Sequence, residues 1–191
     1  MSARARVECL PLLADVLEYP HEGTARQARS AADRLAGDHI GVAGALWDLA
    51  VWLENTPRGT IEERYTGLFD LNPIATLNLG YHVFGDTYQR GEFLAGLAGE
   101  LRERGLEPGL DLPDYLPTVL RLLARVEPLE EAGLLLSVGV LPGLAKMREA
   151  LKDSHDPWSR LLRALPDLLA ELAPVTPVAV LSRSPEASAH A

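Results

Sequence analysis

Leucine outnumbers the two β-branched aliphatic residues together by more than two to one, with 36 Leu against 12 Val and 3 Ile. Side chains that stiffen at χ1 and pack well on a pleated surface are scarce, while those that keep most of their rotamer freedom in a helix abound, so the chain is biased toward α-helix along its length. No stretch alternates polar and apolar residues long enough to argue for a sheet. The 191 residues, 47% hydrophobic, are enough for one core that buries roughly 70% of the surface of the unfolded chain. The sequence therefore reads as all-α, a single-domain helical bundle of about seven to nine helices over residues 1–173. The Pro-, Ser- and Ala-rich residues 174–191 read as a mobile tail.

Residues 6–18 place Val7, Leu10, Leu13 and Leu17 on one side, and Pro20 ends that helix. Further helices are expected over 22–36, 38–55, from Thr60, over 74–83, over 87–104, over 113–126, over 129–151 and from Asp156-Pro157 to Leu172. Thr60 with Glu63 has the spacing of a capping box. Asp86 and Asp114 are expected to be N-caps. Leu134, Val138, Leu141 and Leu144 are expected to face the core, with a kink at Gly139 and Pro142. Gly91 inside a helix suggests a close backbone approach.

Charge narrows the function. Eighteen Lys and Arg against 27 Asp and Glu give a net charge of −9, which repels phosphate backbones and argues against nucleic acid as a partner. One cysteine, Cys9, has no second thiol to bridge to, as befits a reducing compartment. Arg4 and Arg6 precede Leu10, Leu12 and Leu13, but Glu8, Asp15 and Glu18 interrupt the apolar run, so a first amphipathic helix is expected rather than a secretory leader. No uninterrupted apolar stretch approaches the ~20 residues of a membrane span.

Catalytic signatures fail in turn. None of His21, His39, His82, His155 and His190 lies four residues from another, so no two-histidine metal face exists on a helix. Ser137-Val138-Gly139 lacks the preceding glycine of a nucleophile elbow. Glu62-Glu63 and Glu130-Glu131 have no Glu-x-x-His partner and read as solvated faces. One enzymatic alternative remains, a small helical active site built from His82, Asp86 and Asp114.

Unusual residues concentrate between Glu62 and Leu123. Glu62, Tyr65, Leu68 and Phe69 share a helical face. His82 and Phe84 precede Gly85-Asp86, and Arg90 follows Asp86 by one turn. Asp114 and Tyr115 sit in Leu112-Pro113-Asp114-Tyr115-Leu116-Pro117. Residues 37–72 hold six acids against two bases, an acidic stretch of the chain. A basic amphipathic segment is drawn to such a surface.

Leu17-Glu18-Tyr19-Pro20, then Tyr65-x-x-Leu68-Phe69-Asp70, His82-x-x-Gly85-Asp86-x-x-x-Arg90-Gly91, Gly105-Leu106 and the Leu112 to Pro117 block together resemble the NarJ branch of the TorD/DmsD family, the assembly chaperones of molybdoenzymes. Many members carry His where this chain has Tyr115. The resemblance implies a cytoplasmic, all-helical chaperone without catalytic activity, monomeric or dimeric, holding no cofactor stably. It implies binding to the N-terminal leader of an apo molybdoenzyme catalytic subunit during insertion of the molybdenum guanine dinucleotide cofactor, before membrane docking or export. Nitrate reductase is the expected client; enzymes acting on selenate, chlorate, dimethyl sulfide or hydrocarbons are alternatives. On this reading Tyr65, Phe69, Phe84 and Tyr115 are apolar contacts, and Glu62, Asp86 and Asp114 are polar partners. Arg90 holds Asp86, and His82 lines the pocket mouth.

Overall fold

The computed structural model describes residues 3–107, 109–126 and 133–171, with side chains from Glu8 onward. The expected tail, Leu172 and Glu130-Glu131 lie outside the described residues. Nine α-helices are described: α1 (Ala3–Leu17), α2 (Thr24–Leu35), α3 (Ile40–Asn55), α4 (Arg58–Phe69), α5 (Leu79–Phe84), α6 (Tyr88–Glu103), α7 (Leu116–Leu123), α8 (Leu141–Ala150) and α9 (Pro157–Ala170). A π-helical turn, Leu136–Val140, leads into α8. Among the described residues there is no strand, only an isolated antiparallel bridge between Asn78 and Tyr115.

Helix α1 packs against α2 and α7, while α3 lies between α2 and α9. Helix α8 connects α9 to α5. The innermost side chains repeat at helical spacing, as in Leu10, Leu13 and Leu17 of α1 and Trp158, Leu161, Leu162, Leu165 and Leu169 of α9. Trp158 is the largest of the fully buried side chains. Its indole meets Trp52, Tyr65 and Phe69 edge-on, with centroids 5.4, 5.4 and 6.4 Å away. Its Nε1–H points at the Val16 carbonyl at 3.3 Å. Four helices therefore converge on one ring.

Local chemistry explains the helix ends that the sequence places well. The Asp156 carboxylate accepts from the Trp158 N–H at 3.0 Å, with Pro157 opening α9. Gly105, at φ 65°, closes α6. The Leu106 N–H bonds the Leu101 carbonyl and the Gly105 N–H bonds that of Arg102, a Schellman ending.

Several expected details differ. Helix α4 starts at Arg58 after Pro57, so Thr60 is already inside it and no capping box forms. The helix expected over 74–83 shrinks to α5. Residues 77–79 are instead pinned against 114–116 by Leu116 N–H to Leu77 O at 2.8 Å and Leu79 N–H to Asp114 O at 2.9 Å. Gly91 meets nothing within 4 Å of an added Cβ; the glycines crowded by another segment of the chain are Gly80, Gly139 and Gly143, while Gly23 meets only the neighbouring His21 ring. Thr87, not Asp86, stands at the N-cap of α6, and its hydroxyl donates back to the Phe84 carbonyl at 3.0 Å rather than capping the helix.

Candidate functional site

Asp114 is the fully buried carboxylate at the junction of α5, α6 and α7. It does not cap its own helix, whose N-cap is Tyr115. Its Oδ2 accepts from the Gly80 N–H, in the first turn of α5, at 3.0 Å. It thus serves as a cap from 34 residues away. The same oxygen accepts from Arg90 Nε and Nη2, both at 3.3 Å. Arg90 reaches Asp86 at 3.4 Å as well and lies over the Tyr81 ring at 5.7 Å. Burial raises the Asp114 pKa, against the opposing charge of Arg90. A Cβ at position 80 would lie 2.7 Å from Asp114 Oδ2, so glycine is required for this closure.

Arg90 therefore binds the buried Asp114 in addition to the exposed Asp86 that the sequence points to. Asp114 is not available to a ligand from outside. His82 directs Nε2 at the Thr76 carbonyl, 2.7 Å away. Because a carbonyl only accepts, that nitrogen carries the proton. Burial lowers the His82 pKa, and a base whose folded pKa lies below its unfolded value loses stability as pH falls from about 6.5 toward the folded value. His82→Gln is accordingly expected to lessen the drop in urea midpoint between about pH 7.5 and 5, measured against the parent chain.

Tyr65 and Phe69 are interior, at 3% and 4% exposure, in edge-to-face contact with each other at 4.8 Å and with Trp158. They are core residues rather than surface contacts, because the apolar side of α4 turns toward α1 and α9. The Tyr65 hydroxyl donates to the Leu17 carbonyl at 2.7 Å, so at 3.2 Å it accepts the hydroxyl of Tyr115. Tyr115 is partly buried and ties the loop before α7 to α4, not to an exposed first turn. Glu62 pairs along its own helix with Arg58 at 2.7 Å. The acidic stretch 37–72 is also partly neutralised from elsewhere: Arg29 of α2 pairs with Glu54, and Arg160 of α9 with Asp48 at 2.7 Å.

A surface concavity with apolar walls lies on another part of the chain. A cleft of about 640 Å³ opens between α6 and the π turn, walled by Phe93, Leu97, Leu134, Leu135 and Val138, with Glu100, Glu103 and Arg104 at its rim, Arg104 paired with Glu100. Leu134 and Val138, expected in the core, are 72% and 44% exposed here. The cause is the π turn. Leu141 N–H bonds Leu136 O, five residues back, and one residue more per turn rotates everything upstream by roughly 100°. Leu136 and Val140 become the buried pair. The turn precedes Pro142, whose ring would crowd the carbonyl four residues earlier in an unbroken α-helix. Gly139 permits the close approach of α6, since a Cβ there would fall 2.4 Å from Phe93 Cζ. Phe93 in turn packs on Phe84 at 5.3 Å, which connects the cleft to the expected site. The Gly139 and Pro142 pair was the visible signal; the direction of the rotation was not.

Among the described residues no group of three His, Cys, Asp or Glu side chains is placed to hold a metal ion, and no helix is long and apolar enough to cross a membrane.

A family model described as nitrate reductase delta subunit matches residues 36–164, from the end of α2 into α9. NarW of Escherichia coli, described as a probable nitrate reductase molybdenum cofactor assembly chaperone, is 31% identical over 162 residues, 83% of this chain and 67% of NarW. The nitrate reductase-like protein NarX of Mycobacterium tuberculosis is 32% identical over 161 residues, 82% of this chain. The match spans only 24% of NarX, about a quarter of that longer protein. In three dimensions the chain resembles a protein of Archaeoglobus fulgidus described as a redox enzyme maturation protein. The TM-score is 0.57 over 86% of this chain and 93% of that one, at 20% identity, which speaks for the fold.

Proposed function

The chain belongs to the nitrate reductase delta subunit family, and on that premise we propose that it is a molybdenum cofactor assembly chaperone, not an enzyme. It holds the N-terminal segment of an apo molybdoenzyme catalytic subunit while the molybdenum guanine dinucleotide cofactor is inserted. A nitrate reductase is the client this reading favours, and the cytoplasm its place of action. The observation that carries it is the cleft between α6 and the π turn. Its walls are apolar, its rim carries Glu103 and the Glu100–Arg104 pair, and the chain around it has a net charge of −9. A leader that folds into a basic amphipathic helix matches both features: apolar face inward, cations toward the rim. In this arrangement Phe84 supports Phe93, and the Arg90–Asp114 pair fixes the start of α6. Asp86, 84% exposed at the side chain, remains open to a cationic partner.

The test is calorimetric titration of the full chain with a synthetic peptide covering the client's N-terminal segment. Leu134→Glu and Val138→Glu alter exposed side chains, so the fold survives. Loss of one buried apolar contact is expected to weaken binding about tenfold or more. Added salt is expected to weaken parent binding. Unchanged affinity in both variants moves the peptide away from the cleft. Weakening instead by charge reversal at Glu62 and Asp70 would place it on the acidic surface of α4. No binding by any client peptide overturns the chaperone reading.

A further inference from the structure

Thr118, in the first turn of α7, is buried, at 7% exposure. A helical threonine ordinarily turns its hydroxyl to a carbonyl three or four residues back. Both of those carbonyls are engaged here: that of Asp114 accepts the Leu79 N–H at 2.9 Å and that of Tyr115 the Val119 N–H at 3.0 Å. The Thr118 hydroxyl has no hydrogen-bond partner among the described residues. Yet it is not one of the unpartnered polar atoms sealed from solvent, which belong to Gln27, His39 and Asp114. Its outlet is a pocket of about 260 Å³ where the C-terminal ends of α1 and α6 meet α7. A buried hydroxyl that opens only onto a pocket is a group waiting for a partner.

The charges around the pocket state what that partner is. Its charged lining comprises three acids, Glu18, Glu107 and Asp111, and one cation, Arg121. Arg121 is already held between two carboxylates, by Nη1 to Glu18 at 2.6 Å and by Nη2 to Asp15 at 2.8 Å. Arg125, one turn on, turns to the Arg104 carbonyl at 3.3 Å. Glu107 and Asp111, on the loop between α6 and α7, have no ion-pair partner among the described residues. Asp70 adds to the same sign, since its charge bears on Tyr115 together with those of Glu18 and Asp111. An anion is repelled by this arrangement. A bare metal ion finds no group of three ligands among the described residues. The remaining wall is apolar, made by Leu101 and Leu106.

We propose that this pocket is a receptor for one alkylammonium or alkylguanidinium group. The carbon stem lies along Leu101 and Leu106, and the charged head donates to the Thr118 hydroxyl and to the carboxylates of Asp111 and Glu107. The ammonium and guanidinium heads share the chemistry that matters here: positive charge, N–H donors only, and a slender apolar stem. Such a group comes either from a free amine or from a basic side chain of a bound polypeptide. In the second case the inference rests on the client-binding reading; in the first it stands without it. The pocket shares no lining residue with the cleft between α6 and the π turn.

Amide chemical shifts of the full chain, titrated with butylguanidinium and with uncharged butanol, test it. Butylguanidinium is expected to shift the amides around Thr118 and Asp111 with saturation in the millimolar range, the reach of a ligand of so few atoms, and more weakly as salt rises. Butanol is expected to leave them in place. Asp111→Asn, at an exposed side chain, and Thr118→Val are each expected to weaken binding about tenfold. Thr118→Val gives up no hydrogen bond within the protein, so its urea midpoint is expected to match or exceed the parent's. A lowered midpoint overturns the proposal, as do equal shifts with butanol, no saturation, or unchanged binding in both variants. A client N-terminal peptide that shifts the same amides and is displaced by butylguanidinium identifies the group as a side chain of the client. A peptide that shifts only the cleft, or binds nowhere, while butylguanidinium still saturates the pocket identifies it as a free amine. Of these results only the peptide's failure to bind anywhere touches the chaperone reading.

Discussion

Arg90→Leu is expected to destabilise the protein by about 3–5 kcal/mol, because it strands a buried carboxylate. Asp114 has no exposure, and its Oδ1 is buried without a hydrogen-bond partner. The two donors from Arg90 and the Gly80 N–H are what offset its burial. Loss of the guanidinium also releases Asp86 and uncovers Tyr81. For a chain of this size the change corresponds to a fall in Tm of roughly 10 °C. Its pH dependence follows from the sign of the shift. The folded pKa of Asp114 already lies above the usual carboxylate value, and removing Arg90 raises it further. The folded state then holds a proton that the unfolded state releases, so stability rises as pH falls toward the unfolded value of about 4. Urea unfolding should accordingly show the variant's deficit shrinking on acidification until other carboxylates dominate. Asp114→Asn in the same background keeps an acceptor for Gly80 and should restore a substantial part of the loss at neutral pH. A deficit below about 1 kcal/mol, or one independent of pH, would show that the pair carries little of the local structure.

Trp158→Ala is expected to cost about 3–5 kcal/mol, again by urea unfolding. The ring is fully buried and meets Trp52, Tyr65 and Phe69. Its removal opens a void shared by α1, α3, α4 and α9 that none of them can fill by turning one side chain. It also deprives the Val16 carbonyl of the indole donor. Trp158→Phe retains most of the volume and should recover more than half of the loss. Both effects act on folding. Neither ring nor ion pair lines the cleft between α6 and the π turn, so Trp158→Phe is expected to leave peptide affinity within about twofold, whereas Val138→Glu does the reverse.

Those contrasts show where the chain was readable. Helix α9 was visible from Asp156-Pro157 and the repeat through Trp158, Leu161 and Leu165, because a cap and a stripe are decided within a few neighbouring residues. Gly105 was legible for the same reason. Asp114 was not. Its local grammar is that of an N-cap, but the donor it serves belongs to Gly80, and no local rule specifies a partner 34 residues away. Residues 74–78 went the same way, drawn out of the expected helix by pairing with the segment before α7. Gly80, Gly139 and Gly143 differ from Gly91 only in what packs against them, so the crowded glycines could not be told apart from sequence alone. The cleft was lost to a single inserted residue. Read at the ordinary period, Leu134 and Val138 continue the buried stripe of α8; one π turn shifts them outward and makes them its wall. Tyr65 and Phe69 erred in the other direction. Aromatic residues near a charge resemble a binding face, but these two close the centre of the molecule.

The turn at Leu136–Val140 has a consequence for how this architecture diversifies. Deleting one residue there would let the segment wind without interruption, swinging Gly139 away from Phe93 and carrying Leu134 and Val138 inward. The concavity would then vanish although every side chain that forms it was still encoded. In this chain the presence of the concavity is thus governed by length at one point, and reading residue types alone would overlook it.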